Sequence, residues 1–544
     1  MRVQGGRAAS VVLQGSTAAE FLEVLRFCFP RNDTLESPTE KLHLPGEFAM
    51  SENMVDTDVL IVGAGPVGLF LANECARRGL RYRLIEMRPI QSIHSKALAI
   101  FPRTMEIFDM AGVVGPFLEA ANRVTSVAVL SGDRSLAHME FAPEETPYGF
   151  VAMVPQDVTE KLLLQELRRK GGNVEYETAF VSAAEEDGAV KVEMEQRGRP
   201  TRSRARFVIG CDGAHSAVRH TMKLSFEGEA YEDLYMLADV DTNGSLPADE
   251  MQLCPSERGP LAIFPMSANR KRVVATIDHQ EGEAPTLETV QRVLNERGPK
   301  GVEAQSMRWG SYFKIHHRHV TQLRSGKFFL AGDAAHIHSP FGGQGMNTGL
   351  HDAWNLAWKL DLCLRGLGNN ALLDSYSAER IPVIRSVIDT THRLTRVMGT
   401  PSKFAQVLRD TMIPMVSRLA PFQHAFVRRM SELGIDYQGS PIVEGPGKRY
   451  FEKTLCGGQG IGRRFLLMIG ADEDAAGKEA LVRFCDSFRE VAEPRTTEQP
   501  GVTLVRPDGY IAFAAHHSTE TIREALRSVL ERHLSEDQGR AAAV

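Results

Sequence analysis

Residues 58–88, DVLIVGAGPVGLFLANECARRGLRYRLIEMR, constrain this chain more than any other stretch. Val59, Leu60, Ile61 and Val62 predict a buried strand, Gly63, Gly65 and Gly68 form G-x-G-x-x-G, and Leu69, Ala72 and Ala76 recur at helical spacing up to Gly79. Tyr82–Ile85 predicts a second strand that ends on Glu86. The glycines permit a tight turn, close backbone approach to a pyrophosphate and helix–strand contact, and an acid about 20 positions on accepts ribose hydroxyls. Strand, glycines, helix, strand and acid in this order predict an adenine dinucleotide site, with NAD and FAD both open.

A second stretch, Phe329–Leu360, raises the same geometry again. The apolar run Phe328–Ala331 predicts the end of a strand, Asp333, histidines, Pro340 and glycines follow, and Met346, Leu350, Ala353, Ala357 and Leu360 predict a long helix. Polar and glycine residues then lie in a strand-to-helix crevice, where open α/β sheets bind ligands. RFVIGCDGAHSAVRHTM is a third instance: Phe207–Ile209 predict a strand ending at Asp212-Gly213, with Ser216 and Arg219 behind. Gln156 immediately precedes an amphipathic pattern carrying Val158, Leu162, Leu163 and Leu167, and alone would be read as a turn or cap.

Composition narrows the partners. At 544 residues the chain predicts two or more domains. A formal net charge of −6 and the lack of a basic stripe with interleaved aromatics argue against nucleic acid. No apolar run reaches membrane-span length. The seven cysteines are scattered, without CxxC or metal-ligand spacing, which fits a reducing, cytoplasmic setting. His316, His317 and His319 with His336 and His338 invite a metal reading, but no cysteine or paired carboxylate completes a closed site, so no metal is expected.

Taken together, GAGPVG at Gly63–Gly68 with Glu86, CDGAHSAVR at Cys211–Arg219 and GDAAHIHSPFGGQGMN at Gly332–Asn347 resemble the class A FAD-dependent aromatic hydroxylases of the para-hydroxybenzoate hydroxylase and phenol hydroxylase type. The resemblance covers about residues 56–395 and, more faintly, the C-terminus. It implies that Gly63, Gly65, Gly68 and Glu86 hold the ADP half of FAD, and that Arg103 and Gln156 touch the cofactor, Arg103 being free to meet the pyrophosphate. It further implies that Asp212 and Arg219 serve FAD or nicotinamide binding, and that Asp333 hydrogen-bonds the ribityl chain. The amides of Gly345, Met346 and Asn347 would stabilise the reduced flavin's negative N1/C2 end. Pro340 corresponds to a proline whose carbonyl lies near substrate and flavin. NAD(P)H is the implied co-substrate, bound transiently since there is no second dinucleotide fold. Dioxygen would add at flavin C4a, and an electron-rich phenolic ring would attack the resulting hydroperoxide.

The expected fold is α/β: a Rossmann-like FAD-binding domain (55–122, 148–235 and 325–395) interleaved with a β-sheet substrate domain (123–147 and 236–324). A helical interface or homodimer segment (396–440) and a thioredoxin-like C-terminal domain lacking CxxC (441–544) follow. Residues 1–50 read as an aperiodic extension, disordered or preceding a natural start at Met50 or Met54. Among rivals, a halogenase would need W-x-W-x-I-P, which Trp309, Trp354 and Trp358 do not supply, and a disulfide reductase would need a cysteine pair after the first strand. A polyketide-tailoring hydroxylase of the same family, or a flavin-binding protein without turnover, are the alternative readings.

Overall fold

Val59, Leu60 and Ile61 are completely buried, as in a strand covered on both faces. The computed structural model describes residues 55–531 apart from 92–94, 142, 144, 244–245, 339–341, 399–413, 416, 418, 459 and 517–519, so the expectations for residues 1–50 and for Pro340 lie outside the described residues. Thr57–Val62 pairs in parallel with Tyr82–Ile85 on one side and Arg199–Gly210 on the other, and Arg199–Gly210 pairs in parallel with Phe328–Leu330. The register sets Ile85, Val62, Gly210 and Leu330 abreast. All three glycine- or aspartate-bearing turns therefore leave one edge of one sheet, although the strands come from segments more than a hundred residues apart.

A second, mostly antiparallel sheet runs in the order His336–Ile337, Ala304–His319, Glu227–Thr242, Arg270–Ile277, Leu261–Pro265, Glu250–Cys254, Ser126–Ser131, Arg134–Glu140. Leu237–Val240, Leu261–Phe264 and Val273–Ile277 are strands as the sequence suggests, but the first is much longer, Glu227–Thr242. Its polar start hides the pattern, while pairing with Ala304–His319 satisfies its backbone. The apolar faces of Val127, Met251 and their neighbours pack against Phe101 and Met153.

Near the C-terminus, Phe465–Gly470 and Ala492–Thr497 pair in parallel around the helix Ala475–Ser487, and Val502–Val505 and Ile511–Ala515 complete an antiparallel hairpin. Leu526, Val529 and Leu530 of the closing helix Glu520–Glu531 fill the face of this sheet. This gives the α/β arrangement expected of the segment. Among the described residues no helix is long and apolar enough to cross a membrane.

Candidate cofactor and substrate site

The glycine turn is shaped by backbone contacts. A Cβ on Gly68 would meet the Gly63 carbonyl at 1.9 Å, and one on Gly63, whose φ is +101°, would meet the Cys211 carbonyl at 2.5 Å. Gly65 differs: a Cβ there meets nothing within 4 Å, and its φ of −72° suits any residue. Protein packing thus explains Gly63 and Gly68, whereas no contact among the described residues requires a glycine at position 65. Beyond it, the helix Pro66–Arg77 starts without a side-chain cap.

Glu86 accepts from the Ala64 amide at 2.9 Å and from the amide and guanidinium of Arg88. Burial pushes its carboxyl up, but Arg88 and the two amides pull harder and leave it below the usual range. These four bonds fill the carboxylate's acceptor positions, so any further donor to Glu86 must displace the half-exposed Arg88 side chain.

Asp333 stands on a single 3-10 turn, Gly332–Ala334, directly after the strand Phe328–Leu330. Its side chain is exposed, yet enough protein surrounds it that desolvation raises its carboxyl against the opposing charges of His336 and Lys96. An exposed carboxylate without a hydrogen-bond donor among the described residues is an acceptor of the kind a polyol chain requires. Lys96 had no signal in the sequence because a lone exposed lysine outside any motif carries none; its charge favours ionised Asp333.

The turn is fastened from below. Asp352 accepts from the Gly332 amide at 3.1 Å, from His336 Nε2 at 2.7 Å and from Arg380 Nε at 2.7 Å, all buried. Arg219 donates to the carbonyls of Ala334 (2.9 Å) and Ala214 (2.8 Å). Asp212 accepts from the amides of Ala217 and Val218, capping the short helix Ala217–Thr221. Arg219 thereby links these two motifs, while the bonds of Asp212 stay within its own.

The helix Gly345–Leu364 begins where expected and has no side-chain cap. Geometry leaves the first amides of a helix, here those of Gly345, Met346 and Asn347, without intrahelical acceptors. Asn347 directs its side chain elsewhere: Oδ1 accepts from the Phe101 amide at 3.0 Å and Nδ2 donates to Ala99 and Gly343. His338 lies beside this helix start, its Nε2 3.5 Å from where a Cβ of Gly345 would stand.

Two of the expected cofactor residues have partners within the protein. Arg103 is not free to reach a pyrophosphate: it is fully buried, paired with Glu106 at 2.9 Å, and stacked over Tyr510 at 4.8 Å. Its partners near the C-terminus are far away in sequence, so no local pattern announces them. Gln156 is the first residue of the helix Gln156–Arg169, and its side chain accepts from the Ala97 amide and donates to Glu160. It holds the segment bearing Lys96 in place.

On the other side of the Gly342–Gly343 turn lies an apolar cavity walled by Phe101, Met251, Leu253, Phe264, Phe426 and Met430. The roof is the helix Ala420–Met430. A larger polar cleft, about 510 Å³, opens around Asp241, Arg270 and Arg308 near Pro155, away from the glycine turn. The apolar cavity is much smaller, about 30 Å³, less than an aromatic ring occupies.

Comparison with known proteins agrees with this geometry. Residues 56–391 match the model of an FAD binding domain family, and residues 460–535 match the aromatic-ring hydroxylase C-terminal family. The chain is 32% identical over 521 residues to 6-methylpretetramide 4-monooxygenase of Streptomyces rimosus, covering 87% of this chain and 93% of that protein. It is 29% identical to pentachlorophenol 4-monooxygenase of Sphingobium chlorophenolicum, covering 66% and 67% respectively. The solved OxyS anhydrotetracycline hydroxylase from Streptomyces rimosus superposes with a TM-score of 0.72 at 27% identity, over 87% of this chain and 98% of that one.

Proposed function

Because the chain belongs to the family of FAD-dependent aromatic-ring monooxygenases, we propose that it hydroxylates a phenolic or related aromatic compound, with NAD(P)H as reductant and dioxygen as oxygen source. The observation that carries this reading is the row of strand ends at one sheet edge, from which the segments bearing Gly65, Glu86, Asp212 and Asp333 leave together. FAD, when bound, supplies hydride acceptance and oxygen activation.

Each residue has a physical task in this reading. The bare Cα of Gly65 leaves room for the pyrophosphate, Lys96 offers a cation on the same side, and Asp333 accepts from the ribityl hydroxyls. The amides of Gly345, Met346 and Asn347 and the dipole of their helix favour negative charge at the near edge of the flavin ring. Asp352, Arg219 and Asn347 fix the loops that present these groups. Phe101, Phe264 and the roof helix keep water from the reacting ring, which protects reactive species from hydrolysis. NAD(P)H reaches the flavin transiently, because only one G-x-G-x-x-G is present. The enzyme works in the cytoplasm, and exposed Leu419 and Phe422 on and beside the roof helix are suited to a homodimer contact.

The test is a panel of aromatic compounds screened for stimulated NAD(P)H oxidation by the FAD-loaded enzyme, with product masses determined. The expected result is acceleration with a product heavier by one oxygen atom. Oxidation that no aromatic compound stimulates, with no hydroxylated product, would reject the reading.

A further inference from the structure

We infer that the polar cleft around Arg270 is an anion site for a phosphate group, and that it seats the phosphates of the nicotinamide reductant. This rests on the proposed hydroxylase reading and adds to it the place where NAD(P)H docks.

The cleft holds a cation that the protein leaves largely unmatched. Arg270 and Arg272 stand two residues apart on the strand Arg270–Ile277, and both reach Asp239. Arg272 takes the two carboxylate oxygens at 2.7 and 2.9 Å, so Arg270 keeps one long bond of 3.3 Å. The Arg270 Nε is buried without a hydrogen-bond partner among the described residues, while the side chain as a whole is 33% exposed and lines the cleft. Asp241, the carboxylate at the cleft, is already occupied: it accepts from Ser306 Oγ at 2.8 Å and from Arg308 Nε at 3.1 and 3.3 Å. A guanidinium with donors to spare is suited to phosphate, which it binds through paired N–H bonds.

The facing wall is held in place. Buried Lys271 donates to the carbonyls of Pro247, Ser267 and Ala268 at 2.9, 3.2 and 3.0 Å, and the Arg270 amide donates to Ser267 Oγ at 3.1 Å. This fixes the turn that carries Asn269, whose exposed amide lines the cleft together with that of Gln305. Position points to the reductant among phosphate-bearing ligands. Arg272 donates to the carbonyls of Lys96 and Ala97 at 3.0 and 3.2 Å, and the charge of Lys96 favours ionised Asp333. Arg270 stands one strand repeat, about 7 Å, from the arginine that holds this segment. The cleft therefore adjoins the segment bearing Lys96 yet lies away from the glycine turn, which serves the FAD phosphates in the proposed reading.

The experiment follows anaerobic bleaching of the FAD-loaded enzyme by NADPH and by NADH, and separates the half-saturating reductant concentration from the limiting rate. Arg270→Gln should raise that concentration about tenfold, as for one charge-assisted bond lost, and far more than it lowers the limiting rate or FAD affinity. Arg270→Lys should recover part of the loss. Gln305→Glu, at an exposed position of the lining, should weaken reductant binding in the same direction without touching Asp239. A rise for NADPH alone identifies the 2′-phosphate as the seated group, and an equal rise for both reductants identifies the pyrophosphate; either upholds the site. Unchanged half-saturation in both Arg270→Gln and Gln305→Glu would overturn it, as would weakening confined to an anionic aromatic compound. Where Arg270→Gln fails to fold or to hold FAD, Gln305→Glu decides. Reductant binding that depends on the cleft, with no hydroxylation of any aromatic compound, would uphold the site and remove the hydroxylase reading instead.

Discussion

Asp333 is the residue on which cofactor retention should depend most visibly. Replacing it by Ala removes an acceptor for a hydroxyl, an interaction worth about 1.5–3 kcal/mol when one partner is charged. FAD should then bind roughly tenfold to hundredfold more weakly, read by flavin fluorescence during dilution, with the far-UV spectrum unchanged. Gly65→Val should be harsher, because its side chain would enter space that the protein leaves open; the purified variant should be nearly colourless. Both residues were legible from the sequence, since strand-end position and motif spacing are local. Glu432 was not. It is buried at φ +60° with neither carboxylate oxygen hydrogen-bonded, 3.5 Å from His351 Nε2, whose ring also meets Thr104 Oγ1 at 2.9 Å. Burial lifts its carboxyl to about 8, against the pull of Arg380. A raised acid is stabilising while protonated, so stability is fully present below the unfolded value near 4.5 and falls until about pH 8, by about 3 kcal/mol at pH 7. His351 acts oppositely: burial, Arg380 and Arg103 hold it neutral, so its contribution is lost as pH falls below about 6.5. Glu432→Gln should flatten the decline between pH 5 and 8 in denaturant titrations; an unchanged slope would show that the carboxyl titrates normally.

At the scale of elements, the site is three strand ends and one helix start held in register. Periodicity and glycine placement located these ends, and the helix Gly345–Leu364 starts at the residue expected. What they could not reveal is how the turn at Asp333 is held, because Asp352, His336, Arg380 and Arg219 come from separate elements and meet only in the fold. Burial would raise the Asp352 carboxyl, but Arg380 and His336 bring it below the usual range. Replacing Asp352 by Ala leaves a buried guanidinium and the Gly332 amide without their acceptor. Removing one partner of a buried pair typically costs about 3–5 kcal/mol. The melting temperature and FAD affinity should both fall; a drop in melting temperature with unaltered FAD affinity would show that the network supports the fold but not the turn.

For the whole molecule, the C-terminal hairpin acts as a clamp on the flavin-side helices. Arg506 bonds Glu379 at 2.6 and 2.9 Å and is also paired with Asp508, while Asp508 receives Trp358 Nε1 and its carbonyl receives Trp354 Nε1. Lys359 completes this buried cluster at 2.8 Å from Glu379, its ammonium lowered to about 8 by burial. The sequence identified this segment by its likeness to a family ending, but the ion cluster joins residues about 130 positions apart and has no local signature. Arg506→Met should therefore destabilise both the C-terminal segment and the FAD site together, seen as a single melting transition shifted downward. Two separate transitions would show that the hairpin does not brace the rest.

The central claim is that this chain transfers oxygen from dioxygen to an aromatic ring, and isotopic labelling tests it most directly. FAD-loaded enzyme is mixed with NAD(P)H under labelled dioxygen, with and without an effective phenol, and the product is weighed by mass spectrometry. Faster reductant oxidation with the phenol and one labelled oxygen atom in the hydroxylated product are expected. Label entering from water, or a product without added oxygen despite accelerated oxidation by every binding phenol, would contradict it.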